Sequence, residues 1–165
     1  LYLWIFGDNV EDALGHRRFL AFYLLSGVGA AALQVGAQPA SMIPMLGASG
    51  AISGVLAAYV VLYPLSPITV LNPIFLLWFF FGIFLELPAW LIVGEYFVVN
   101  VWSALTETSA AGGVAFLAHV GGFLTGWLLL RTVFRRYRKV GYARWHGFRA
   151  AEEQRRRRAY PGEER

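Results

Sequence analysis

Charge is distributed very unevenly along this chain, and that distribution constrains the possible folds more than any other feature. Residues 1–130 contain two basic residues and six acids, whereas residues 131–165 contain twelve of the fourteen basic residues. Over the whole chain 58% of residues are hydrophobic and 15% are charged, against about 25% charged in a typical soluble domain. Such long stretches with few charges are typical of helices that cross a bilayer. The chain has no cysteine, which excludes a disulfide scaffold and a thiolate metal site.

Four apolar stretches are each about long enough to cross a bilayer, which takes roughly 20 helical residues. They cover residues 16–36, 46–63, 87–105 and 112–134, and residues 1–6 resemble the last turns of a preceding helix. The sequence therefore predicts an all-α fold, a polytopic membrane helix bundle with four full spans plus the end of a preceding one. We expect residues 70–84 to be interfacial or re-entrant, because an extra span there would break the charge parity described next.

Basic residues predict the orientation of this bundle. Arg17 and Arg18 precede the first full span, and the basic cluster at residues 131–139 follows the last one. Four crossings place both clusters on one side, which is the cytoplasmic side by the positive-inside rule. We therefore predict a membrane domain over residues 1–134 and a basic cytoplasmic tail over residues 135–165. The tail is expected to attract anionic lipid heads rather than nucleic acid.

Small residues recur every four positions on two of the predicted helices. Such a face carries almost no side chain and lets another membrane helix approach closely. The positions are Gly50, Gly54 and Ala58 on the second span, and Ala118, Gly122 and Gly126 on the last. The two helices are therefore predicted to pack directly against each other.

Ser49 and His119 lie next to these two small-residue faces. A serine nucleophile needs a base within hydrogen-bond reach, and we expect the Ser49 hydroxyl within about 4 Å of a His119 nitrogen. Unpaired backbone N–H groups at the helix start around Ser49 would suit an oxyanion. Ordinary helix packing also explains a serine between small residues, and a hydrogen-bonded packing role explains a membrane histidine. The residue pattern alone leaves catalysis and packing open.

Four sequence blocks, taken together, resemble the successive blocks of bacterial rhomboid intramembrane serine proteases. They are YLWIFGDNVED at residues 2–12, GASGAISG at 47–54, ELPAW at 86–90 and AHVGGFLTG at 118–126. The resemblance covers about residues 1–134, in order and at plausible spacing. The serine and histidine blocks are specific as a pair, although either alone is a weak signal.

The resemblance implies a Ser–His dyad without an aspartate, in a water-filled cavity below the membrane surface. Ser49 matches the nucleophile and His119 the general base, and the backbone N–H groups of Ala48 and Ser49 would serve the oxyanion. It also implies that transmembrane protein substrates are cleaved through an acyl-enzyme, with no cofactor and no metal. The expected location is a bacterial inner membrane.

Two departures from the family pattern affect these expectations. The family's further oxyanion-binding His and Asn would lie upstream of Leu1, so we expect an N-terminally truncated chain that lacks its first helix and most of its second. Ser53 stands where some members carry an aromatic residue packed against the histidine. The alternative is a rhomboid-like pseudoprotease, or an inactive fragment, that binds membrane proteins. A transporter would need several intramembrane charges, and Glu95 is the one candidate.

Overall fold

A computed structural model of the protein describes residues 1–42, 45, 47–71, 83–106 and 114–136. The chain starts with a wide π-helical turn, and the described residues then form five α-helices and two β-strands. In chain order these are the turn Leu3–Gly7, α1 (Asp8–Leu14), α2 (His16–Ala37), α3 (Ser49–Leu62), β1 (Pro67–Leu71), β2 (Phe84–Pro88), α4 (Ala89–Thr106) and α5 (Phe116–Arg131). Each predicted apolar stretch thus contains one helix, and the prediction of a helical membrane bundle is confirmed.

The helices differ in how far they reach across a bilayer. Within the described part of the chain, α2 and α4 are long and apolar enough to cross a membrane. The apolar helices α3 and α5 have 14 and 16 residues. At 1.5 Å per residue they measure roughly 21 and 24 Å, less than the roughly 30 Å of a hydrocarbon core. Both begin later than predicted, α3 at Ser49 rather than Leu46 and α5 at Phe116 rather than Gly112.

Large apolar side chains are exposed along α2 and α4. Leu24 and Val28 on α2 are 58% and 65% exposed, and Trp102 and Leu105 on α4 are 69% and 79% exposed. In water such surfaces would favour aggregation or association, whereas in a bilayer they face a solvent of matching polarity. The exposed faces are therefore those expected of lipid-facing helices.

Helices α2, α3 and α5 form the centre of the bundle. Contacts of Gly50 with Ala30 and Ala118, and of Gly54 with Ser26 and Gly122, show that α3 runs parallel to α5 and antiparallel to α2. The approach is so close that a Cβ atom at Gly122 would overlap the carbonyl oxygen of Gly50. At Gly126 it would lie 2.5 Å from the Cα atom of Gly54. The small faces thus allow contact between backbones.

Larger side chains fill the end of the bundle remote from Ser49. There the last turns of α3 and α5 meet α1 and the first turns of α2. The fully buried members of this core include Val10, Leu14, Phe22, Leu62 and Leu130. The bundle is therefore held by apolar packing at one end and by close backbone contact at the other.

The connection between α3 and α4 contains the two strands. β1 and β2 pair antiparallel from Pro67 opposite Pro88 to Leu71 opposite Phe84. The pair brings the chain back so that two N-terminal amides of α4 donate to carbonyls after α3: Ala89 to Ser66 at 2.9 Å, and Trp90 to Pro64 at 3.0 Å. The ends of the segment predicted as interfacial or re-entrant (residues 70–84) are thus strand, and residues 72–82 lie outside the described part.

Candidate active site

Ser49 is the first residue of α3 and is exposed. The turn before it depends on Gly47, whose φ of +110° is a conformation that side chains rarely allow. Ala48 is the N-cap residue and makes no side-chain cap hydrogen bond. The first amides of a helix have no acceptor within the helix itself, so these donors are presented beside the Ser49 hydroxyl.

His119 lies in the first turn of α5 and is half-buried. The start of this helix is capped by another helix: the backbone N–H of Ala118 donates to Oε1 of Gln34 on α2 at 3.1 Å. The other end of the Gln34 amide donates to Oε1 of Gln38 at 2.9 Å, which orients it. The residue next to His119 is thus tied to α2 as well as to its own helix.

The fold brings the two predicted residues together. The distance from Nε2 of His119 to Oγ of Ser49 is 2.9 Å, inside the separation of about 4 Å expected for a nucleophile and its base. The contact follows from the small-residue packing, because a Cβ atom at Gly50 would lie 2.5 Å from Cβ of Ala30 and 3.3 Å from the carbonyl oxygen of Ala118. A larger residue at position 50 would push these helices apart.

The structure adds Asn100 on α4, which the sequence reasoning missed. Asn100 is 5% exposed, and its Oδ1 lies 2.7 Å from Nδ1 of His119, on the opposite edge of the ring from Ser49. Its Nδ2 donates to the backbone carbonyl of Tyr96 at 2.8 Å. The only available signal was that Tyr96 and Asn100 are polar residues four positions apart in an apolar helix, and so share one face.

Tyr96 forms a second link between α4 and the site. Its hydroxyl lies 2.6 Å from Oγ of Ser53, and Ser53 donates its own proton to the carbonyl oxygen of Ser49 at 3.0 Å. Since a serine has one O–H group, Tyr96 is the donor to Ser53. The ring centroid of Tyr96 is 6.2 Å from that of His119. Ser53 therefore takes part in backbone and inter-helix hydrogen bonds, on the turn that follows Ser49.

An apolar cavity of about 260 Å³ opens beside this group. It lies between the N-terminal turn, α3 and α4. Its lining residues are Tyr2, Phe6, Leu56, Ile92, Val93, Glu95, Tyr96, Val99 and Asn100. Among the residues that the structure describes, no group of His, Asp or Glu side chains is arranged to hold a metal ion. What the arrangement offers chemically is a hydroxyl, an imidazole and backbone donors next to an apolar space.

Comparison with known proteins gives similarity along most of the chain. A family model described as Rhomboid domain matches residues 1–136. The chain is also similar to "Rhomboid protein 1, mitochondrial" of Saccharomyces cerevisiae, with 30% identity over 163 residues, covering 96% of this chain and 39% of that protein. The chain thus spans about two fifths of the length of this curated relative. No solved structure gives a significant match.

Proposed function

Because this chain belongs to the rhomboid family, we propose that it is part of an intramembrane serine endopeptidase that uses Ser49 and His119 as a catalytic dyad. The observation that carries this proposal is the 2.9 Å contact between Oγ of Ser49 and Nε2 of His119. The two residues are 70 positions apart and lie on different helices. The family's intramembrane protease activity supplies the reaction class.

The proposed reaction begins with attack of Ser49 Oγ on a peptide carbonyl carbon. Nε2 of His119 takes the hydroxyl proton as the new C–O bond forms. His119 then gives this proton to the leaving amine, and the acyl-enzyme is released by water that His119 activates in the same way. The exposure of Ser49 supports this sequence, because the second step requires access for water.

The negative charge that develops on the carbonyl oxygen needs hydrogen-bond donors. The backbone N–H groups of Ala48 and Ser49 are the proposed donors, at the positive end of the α3 dipole. The absence of a side-chain cap at Ala48 supports this role, since no side chain of that residue competes for the amides. The positive φ of Gly47 supports it too, because the turn keeps side chains clear of the approaching carbonyl.

Transmembrane segments of other proteins are the proposed substrates. The apolar cavity beside Asn100 supports an apolar peptide, and the short helices α3 and α5 support a site set below the membrane surface. No metal or cofactor takes part in the proposed reaction. Residues 1–134 are the proposed membrane domain, with lipid around α2 and α4.

Membership of the rhomboid family makes this a membrane protein. The yeast relative is mitochondrial by name, so the comparison leaves the bacterial type and the bacterial inner membrane as predictions. The cytoplasmic position of the tail, residues 135–165, is likewise a proposal that rests on the positive-inside rule.

The test is cleavage of a model transmembrane substrate by the full-length protein in liposomes. Ser49→Ala is expected to reduce cleavage to the background rate and to abolish labelling by a fluorophosphonate probe. Ser53→Ala, the matched serine one turn further along α3, is expected to keep both. Retained cleavage in Ser49→Ala would refute the nucleophile assignment. A wild-type protein that binds the substrate without cleaving it would instead favour the pseudoprotease.

A further inference from the structure

We infer that Asn100 is a positioning residue for the proposed dyad, holding His119 in the one neutral tautomer that can accept a proton from Ser49. This inference rests on the proposed function. It gives His119 a second hydrogen-bond partner besides Ser49, a neutral amide from α4, on the side of the ring where many serine proteases have a carboxylate.

The hydrogen bond from Asn100 to Tyr96 determines which way the amide faces. A backbone carbonyl can only accept, so the group of Asn100 that lies 2.8 Å from the Tyr96 oxygen is its NH₂ donor. The remaining end of the side chain, Oδ1, is therefore the one that lies 2.7 Å from Nδ1 of His119. A flipped amide would place two oxygens against each other.

The amide orientation in turn determines the proton position on the imidazole. Oδ1 is an acceptor only, so Nδ1 of His119 must carry the proton that it donates. In the neutral ring this leaves Nε2 with its lone pair, and Nε2 is the atom that faces Ser49 at 2.9 Å. The chain of donors then runs in one direction, from Ser49 to His119 to Asn100 to Tyr96.

Burial stabilises this orientation of the Asn100 amide. Asn100 is 5% exposed, so water competes weakly for its amide, and rotating the amide would leave polar atoms unpaired. The same helix also reaches the Ser49 side, because the Tyr96 hydroxyl donates to Ser53 and Ser53 donates to the Ser49 carbonyl. One face of α4 thus contacts His119 directly through Asn100 and is linked to Ser49 through Ser53. Asn100 is thus proposed to orient His119 in a chain that has Ser53 where some family members have an aromatic residue packed against the histidine.

The direct test reads the tautomer by ¹⁵N NMR of the full-length protein labelled at histidine. Asn100→Leu removes the acceptor at similar size, and we expect His119 to move from mainly Nδ1–H to a mixture with Nε2–H. Asn100→Asp keeps an acceptor oxygen and is expected to keep Nδ1–H. His119→Gln assigns the His119 signals, because these are the signals that disappear from its spectrum. Asn100→Ala gives the same readout if Asn100→Leu fails to fold.

The kinetic test uses the same variants on a model transmembrane substrate. Asn100→Leu is expected to lower kcat by far more than it changes KM, which can shift slightly because Asn100 also lines the apolar cavity. The expected fall lies between about 10-fold, for one lost hydrogen bond, and about 10⁴-fold, for a wholly wrong tautomer in a serine protease. Asn100→Asp should recover most of that loss. Asn9→Leu is the matched control, since exposed Asn9 makes the same kind of bond to a backbone carbonyl four residues earlier, and its kcat should not change.

Three results would overturn the inference: an unchanged tautomer in Asn100→Leu, a changed tautomer with wild-type kcat, or an equal fall of kcat in Asn9→Leu. Failure of the proposed function has a different signature. If the wild-type protein neither cleaves nor reacts with a fluorophosphonate, the protease proposal fails. The tautomer comparison needs no turnover and still decides whether Asn100 orients His119.

Discussion

At the scale of single residues, the bundle depends on glycines, which have no Cβ atom and so let helices approach closely. Gly50, Gly54, Gly122 and Gly126 lie where α3 and α5 touch backbone to backbone, and Gly50 and Gly54 also lie against side chains of α2. In a membrane, packing of this kind replaces the hydrophobic effect as the force that joins helices. It also sets the distance between Ser49 and His119, because both residues lie at the contacting ends of these helices.

Gly122→Ala is therefore expected to damage both stability and the site. The new Cβ atom would overlap the Gly50 carbonyl oxygen, and a backbone atom cannot rotate away as a side chain would. We expect a loss of about 1–3 kcal/mol in the free energy of unfolding in detergent micelles, with reduced fluorophosphonate labelling of Ser49.

Gly94→Ala is the control for this substitution. A Cβ atom at Gly94 on α4 would meet nothing within 4 Å. Its free energy of unfolding should stay the same or rise by about 0.5–1 kcal/mol, the helix preference of alanine over glycine. Equal losses in the two variants would show that close approach of α3 and α5 is not what Gly122 provides.

At the scale of elements, the N-terminus of α5 is capped by a side chain from another helix. Its N-cap residue Ala115 has no side-chain cap, and Gln34 of α2 supplies the acceptor for the Ala118 amide instead. Since Ala118 precedes His119, the cap holds the turn that carries the proposed base. Because this cap comes from α2, it also links the position of α2 to the site.

Gln34→Met tests this cap at nearly constant volume. Loss of the acceptor leaves the Ala118 amide unpaired, and we expect about 1 kcal/mol of destabilisation, the usual effect of losing an N-cap. Hydrogen exchange at the first turn of α5 should accelerate. Gln38→Met removes the partner of Gln34 but leaves the cap acceptor in place, so its effect should be smaller. A larger effect at Gln38 would contradict the assigned role of Gln34.

At the scale of the whole molecule, charge and helix direction agree. The start of α2, at His16, and the end of α5, at Arg131, lie at the end of the bundle that holds the large side chains. Ser49 begins α3 at the opposite end. If the basic residues face the cytoplasm, the site opens toward the other side of the membrane.

Single-cysteine labelling tests this orientation. This chain has no cysteine, so each introduced cysteine is the only one in it that can react. Arg17→Cys and Arg135→Cys are expected to react with a membrane-impermeant maleimide from the same side of sealed vesicles. Met42→Cys, at a residue that is 94% exposed in the segment before α3, should react from the other side. Reaction of all three from one side would disprove the four-span topology.

The class of fold and the candidate site residues can both be inferred from local sequence patterns. Low charge over residues 1–130 predicts membrane helices because burying a charge in lipid is costly. Glycines spaced by four predict helix faces that pack closely, since that spacing repeats on one side of a helix. Ser49 and His119 are candidates because they lie beside these faces and because their blocks resemble a family whose model matches residues 1–136.

The orientation of His119, by contrast, depends on contacts that form in the folded bundle. Asn100 and Tyr96 lie on α4 beyond the ELPAW block, where the sequence has no distinctive motif, and their contacts depend on the rotation of α4 about its own axis. That rotation is set by packing against α3 and α5, which no local pattern encodes. The same holds for the cap from Gln34, 84 residues away from Ala118. The sequence shows where the polar residues are, but which of their atoms form hydrogen bonds with each other depends on how the whole bundle packs.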